Sequence, residues 1–188
     1  MKESKLLLIP GPTPVDSRIL EVLSRPTVSH LSPEMERELS GAVENMKKIV
    51  RTKDGQPFIL AGAGTLAMEI ALLNITADSD HVLILSQGFF GQRMAEIAEA
   101  FDLKYRLLQS PWGKVVGADE LRSELKKHKY EVVVCTHVDT ATGSCAPIEL
   151  YSEVIKQEAP DALLVVDGVC ATGGIEENLD SWGIDVIL

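Results

Sequence analysis

The run ALLVVDGV, residues 162–169, drives an apolar stretch straight into an acid, Asp167. A near-continuous apolar run of this length reads as a strand of a parallel sheet covered on both faces, since alternation is expected only where one face meets water. Ligands of open α/β sheets collect outside the carboxyl ends of such strands, so a carboxylate placed there faces a crevice. Asp167 is therefore a candidate site residue. Acids at strand ends also hold magnesium in phosphate-loop NTPases or simply cap the strand, and the neighbouring motifs decide among these roles.

The rest of the chain repeats the pattern. Ser32, Pro33 and Glu34 form a helix start, with a capping hydroxyl, proline at the first helical position and an acid in the first turn. An apolar stripe follows at Met35, Leu39, Val43, Met46 and Val50. Phe58 to Ala61 reads as a short strand, Gly62 to Gly64 as a glycine turn and Thr65 to Asn74 as a largely apolar helix. Strands are then expected at residues 81–86, 104–108, 131–137 and 162–167, and helices at 90–101, 118–127 and 150–157. The order predicts an α/β fold, a three-layer, mostly parallel sheet with helices on both faces. Residues 1–30, with three prolines and a glycine between Pro10 and Val15, are expected to form an extended arm, and residues 31–188 the sheet domain. Residues 184–188 begin another strand where the sequence stops, so we expect a longer natural protein.

Composition narrows the partners. Lys plus Arg is 18 and Asp plus Glu is 28, a net charge of −10, the wrong sign for binding a phosphate backbone. No apolar run approaches the ~20 residues of a membrane span, and the four apolar residues before Pro10 are too few for a signal peptide, so we expect a cytoplasmic protein without nucleic-acid or membrane partners. Cys135, Cys145 and Cys170 lack C-x-x-C spacing, which predicts reduced, mostly structural thiols and no metal site.

Four loops carry distinctive groups, and in this reading each follows a strand: GAGT at 62–65, GFFGQR at 88–93, THVDTATG at 136–143 and DGV at 167–169. Parallel strands share one carboxyl edge, so the loops can converge on one ligand. Gly62 to Gly64 let backbone approach closely, and the free amides of the following helix favour an anion such as phosphate. The motif is not a Walker A loop, because no lysine follows; the G-x-G-x-x-G fingerprint is matched only with Ala67 at its third glycine, a position that tolerates alanine, so a dinucleotide loop is a weaker alternative. Phe90, between Gly88 and Gly91, has an aromatic face suited to stacking on a flat ring, or to ordinary core packing.

Together these motifs, with the LLLIPGPTPV arm and the closing WGIDVIL, resemble the class V aminotransferase family of fold-type I pyridoxal phosphate enzymes, in the manner of alanine-glyoxylate and serine-pyruvate aminotransferases. The resemblance implies a truncated large domain that binds pyridoxal 5'-phosphate. It implies that Ala63, Gly64 and Thr65 hold the cofactor phosphate, that Phe90 stacks on the pyridine ring and that Val169 covers its other face. Thr140 matches the hydroxyl near the phenolic oxygen, Asp167 the acid at the ring nitrogen, and Gly11 the arm residue near the substrate carboxylate, with His30 approaching the same region. His137 is read as structural. Homodimerisation and an amino acid and α-keto acid as substrates are also implied.

Asp139, Ala141 and Cys170 depart from the family's usual Glu, Ser and Ser, which bears on substrate choice. The family's Schiff-base lysine follows the strand after the acid, whereas no lysine lies beyond Lys156 here, so the 188 residues alone are expected to be inactive. Two other readings share the scaffold: a cysteine desulfurase or related lyase, and a non-catalytic binding module.

Overall fold

The computed structural model describes residues 6–188, and its chain divides into two compact units, one reaching to Ala42 and the other Val43–Leu188. Residues 1–5 of the expected arm lie outside the described residues. In the first unit the arm is not extended throughout. Helix α1, Ser17–Leu23, starts where Asp16 accepts the Arg18 N–H at 2.8 Å, a local cap that the proline-rich stretch before it obscures. Helix α2, Pro33–Ile49, begins as expected, with the Ser32 hydroxyl accepting the Met35 N–H at 3.2 Å.

In the second unit, five strands form one parallel sheet. They are β1 His81–Ser86, β2 Lys104–Gln109, β3 Val132–Thr136, β4 Leu163–Asp167 and β5 Val186–Ile187, in the order β2-β1-β3-β4-β5. Helices α3 Gly64–Ile75, α4 Phe89–Ala100, α5 Ala118–Lys127, α6 Ile148–Glu158 and the short α7 Leu179–Trp182 complete the unit.

Side-chain alternation along the central strands explains the layers. Val82, Ile84, Val132, Val134 and Val165 pack with Met68 and Leu72 of α3 and Met94 and Ala98 of α4. Their neighbours Leu83, Leu85, Val133, Cys135, Leu164 and Val166 pack with Leu121 of α5 and Tyr151 and Ile155 of α6. Both faces are thus covered, and that is why β1, β3 and β4 are apolar almost without interruption. The edge strand β2, largely exposed, keeps polar positions. Burial pushes the Cys135 thiol up to about 12, consistent with a structural role.

The strand order also locates a crevice. The chain runs from β1 through α4 to β2 on one side and back through α5 to β3 on the other, so the order reverses between β1 and β3. The loops after these two strands separate there.

One expected strand is missing, and the short helix α7 was not expected. Phe58 to Leu60 form no strand, and their side chains are exposed. An apolar run becomes a strand only when a neighbour completes its ladder, and no described strand pairs with it. Among the described residues no helix is long and apolar enough to cross a membrane.

Tyr151 tests the face built by α6. Its ring is fully buried and its hydroxyl donates to the Val116 carbonyl at 2.6 Å. Tyr151→Phe is expected to lower unfolding free energy by about 1–3 kcal/mol in urea titrations, the cost of leaving a buried acceptor unmet; an unchanged midpoint would show that water replaces the hydroxyl.

Candidate active site

Asp167 ends β4 directly beside Thr136 of β3, and both side chains continue the row of Val165 and Val134 toward the α3–α4 face. The carboxylate is buried. It accepts the Val169 N–H at 3.1 Å and the Thr136 hydroxyl at 3.4 Å. Burial holds its pKa above the usual aspartate range against these two hydrogen bonds, and the charges of Asp139 and Glu177 push the same way. Among the described residues no cation forms an ion pair with it.

A cavity of about 170 Å³ opens above this carboxylate at the reversal of strand order, lined by Gly64, Thr65, Met68, Phe90, Val138, Thr140, Asp167, Val169 and Cys170. Its walls come from loops distant in sequence. Gly64 opens α3 so close to Val169 that a Cβ added there would lie 3.1 Å from the valine methyl. The N-cap of α3 is Ala63, which brings no side-chain acceptor; the Leu66 N–H donates to the Ala63 carbonyl at 2.9 Å, which leaves the Gly64 and Thr65 amides as the donors available to an anion. Phe90 projects from the first turn of α4, its ring edge-on to Phe89 at 5.2 Å between centroids. The Thr140 hydroxyl lies 2.5 Å from the Cys170 sulfur.

Six of the residues singled out in the sequence line this cavity: Gly64, Thr65, Phe90, Thr140, Asp167 and Val169. Ala63 stands at its rim as the cap of α3. Gly11 belongs to the first unit. The GAGT loop follows an irregular segment, so three of the four converging loops, not four, leave strands. Met68 and Val138 escaped the sequence reading, though Met68, four residues after Gly64, shares its helical face and was accessible by spacing.

His137 has a structural place, as expected. It is buried, its Nδ1 lies 2.6 Å from a Glu177 oxygen, and its ring meets Trp182 edge-on. Its backbone N–H donates to the Asp167 carbonyl at 2.9 Å, which fixes the height of the acid. Nothing in the sequence pattern marks Glu177, which lies in an irregular loop.

At the carboxyl edge of the parallel sheet, a buried acid without a cationic partner among the described residues and a helix start without a side-chain cap thus line one cavity. The chain belongs to the class V aminotransferase family, whose model matches residues 19–188. It is 33% identical to the L-aspartate–glyoxylate aminotransferase of Paracoccus denitrificans over 99% of this chain and 48% of the relative. Identity to the (S)-ureidoglycine–glyoxylate transaminase of Bacillus subtilis is 32%, over 98% of this chain and 44% of the relative. The crystal structure of an alanine–glyoxylate aminotransferase from Nostoc superposes with a TM-score of 0.90 at 29% identity, covering 100% of this chain and 50% of that one. The chain spans about half the length of the curated relatives it matches.

The raised pKa of Asp167 has a measurable sign. Its native form holds the proton more tightly than the unfolded chain, so stability falls as pH rises from the ordinary aspartate range through the native value. Asp167→Asn, measured without ligand, is expected to be more stable than wild type at neutral pH, and the difference is expected to vanish at pH values below the ordinary aspartate range. A gap independent of pH in urea titrations would mean that Asp167 is ionised without penalty.

Proposed function

We propose that the full natural chain is a pyridoxal phosphate-dependent aminotransferase that moves an amino group between a small amino acid and an α-keto acid such as glyoxylate or pyruvate. The observation that carries this reading is the buried Asp167 carboxylate, without a cationic partner among the described residues, on the wall of a cavity that the start of α3 also lines. A protonated pyridine nitrogen matches the first feature and a phosphate the second.

The residues fit such a group. Gly64 and Thr65, with Ala63 at the rim, would bind the phosphate through amides and a hydroxyl. Phe90 and Val169 would cover opposite ring faces, and Thr140 would donate near the phenolic oxygen. When bound, the cofactor supplies an electron sink for the bond broken at the substrate α-carbon. Asp167 would serve that chemistry by holding a proton on the ring nitrogen, and the buried Met68 side chain gives the cavity an apolar wall beside it. No lysine lines the cavity among the described residues. The Schiff-base lysine would come from the part of the protein that corresponds to the remaining half of its relatives. We propose that the protein is a cytoplasmic homodimer, as the sequence reading expects.

The test is spectroscopic and chemical. The full natural chain incubated with pyridoxal phosphate is expected to show a bound-cofactor absorbance that shifts on adding alanine, serine or aspartate, and to form glycine from glyoxylate. Asp167→Ala is expected to lower kcat by about 100-fold or more while weakening cofactor binding by less than about tenfold. Absence of both the spectral shift and glycine with every donor would overturn the proposal.

A further inference from the structure

Asp139 is fully buried, yet it neither lines the cavity nor pairs with a cation among the described residues. A carboxylate removed from water is costly unless donors surround it, so its partners show what it is for. One oxygen accepts the Phe90 N–H at 2.8 Å. The other accepts the Ala141 N–H at 3.0 Å and the Thr142 N–H at 3.1 Å, and the Thr142 hydroxyl lies 3.4 Å away.

Phe90 N–H is one of the donors that the start of α4 leaves unmet, and the N-cap, Gly88, has no side chain to satisfy it. Asp139 supplies that cap from a loop 49 residues away. The approach requires glycine at 88, because a Cβ there would overlap the carboxylate.

We infer that Asp139 is a positioning residue that ties the Phe90 ring and the Thr140 loop to one anchor, setting the gap in which a flat ring is held. The inference rests on the reading of the cavity as a pyridoxal phosphate site. Neither loop moves without breaking a charge-assisted hydrogen bond, and an amide in place of the carboxylate turns an NH2 group toward one set of donors.

The experiment is a double-mutant cycle on the full natural chain, titrating apoprotein with pyridoxal phosphate and reading the Kd and the circular dichroism induced in the bound chromophore. Asp139→Asn and Phe90→Ala are each expected to raise Kd about tenfold and to change the induced signal. In the Phe90→Ala background Asp139→Asn is expected to add less than about twofold, since residues acting through one another are not additive. Equal losses in both backgrounds, or an unchanged Kd, overturn the inference. Amide exchange gives a second readout that needs no variant: Phe90, Ala141 and Thr142 are expected to be protected in wild type, and loop-like exchange at these three overturns the tether. Failure of wild type to bind pyridoxal phosphate overturns the cofactor reading itself, whereas wild-type binding that Asp139→Asn leaves intact overturns only the role given to Asp139.

Discussion

The pairing of Thr136 with Asp167 at the end of the β3–β4 ladder is the contact on which the site depends. Side chains alternate across a sheet, so a slip of one residue would carry Asp167 to the α5–α6 face, into the packing of Leu121 and Tyr151. An ion buried there would cost on the order of several kcal/mol with no cavity to relieve it. Register is therefore strongly specified. The same ladder that buries Val165 and Val166 delivers the carboxylate to the wall of the cavity.

The rim itself is assembled by backbone proximity. Gly64 brings the start of α3 against Val169, and Gly88 brings the start of α4 against Asp139. Two helix starts are thus held beside the same β4 and β3 loops, one left open toward the cavity and one capped from across it. The difference is functional in kind. An uncapped start retains amides for an external anion, whereas a capped start has spent its first-turn donor on fixing the aromatic side chain beside it.

The sequence made the layers legible because the central strands carry unbroken apolar runs and the helices between them are long enough to have clear ends. An expected strand is absent only at Phe58 to Leu60, where composition suits a strand but the described sheet offers no partner. A ladder is a property of two segments, and one segment's composition cannot supply it. Helix α1 was hidden for the opposite reason, since the prolines just before it dominate the local reading while its cap is a single Asp16. Asp167, Phe90 and Thr140 stood out because unusual groups sat just past predicted strands. Asp139 was visible only as a departure from a motif; its tether to Phe90 spans 49 residues and has no periodic signature.

Glu177 shows where such reading ends. It lies in an irregular loop, it is buried, and one of its oxygens lies against His137 while the other has no hydrogen-bond partner among the described residues. The pair closes the space beneath Gly168, where a Cβ would approach the same Glu177 oxygen at 3.0 Å. His137 in turn holds the Asp167 carbonyl through its backbone. Its ring anchors the 168–178 loop through Glu177, so a single residue couples the strand end that carries the acid to the loop beginning with Val169 and Cys170. The structural histidine and the cavity-lining aspartate are for this reason parts of one arrangement: the first sets the height at which the second stands at the cavity wall.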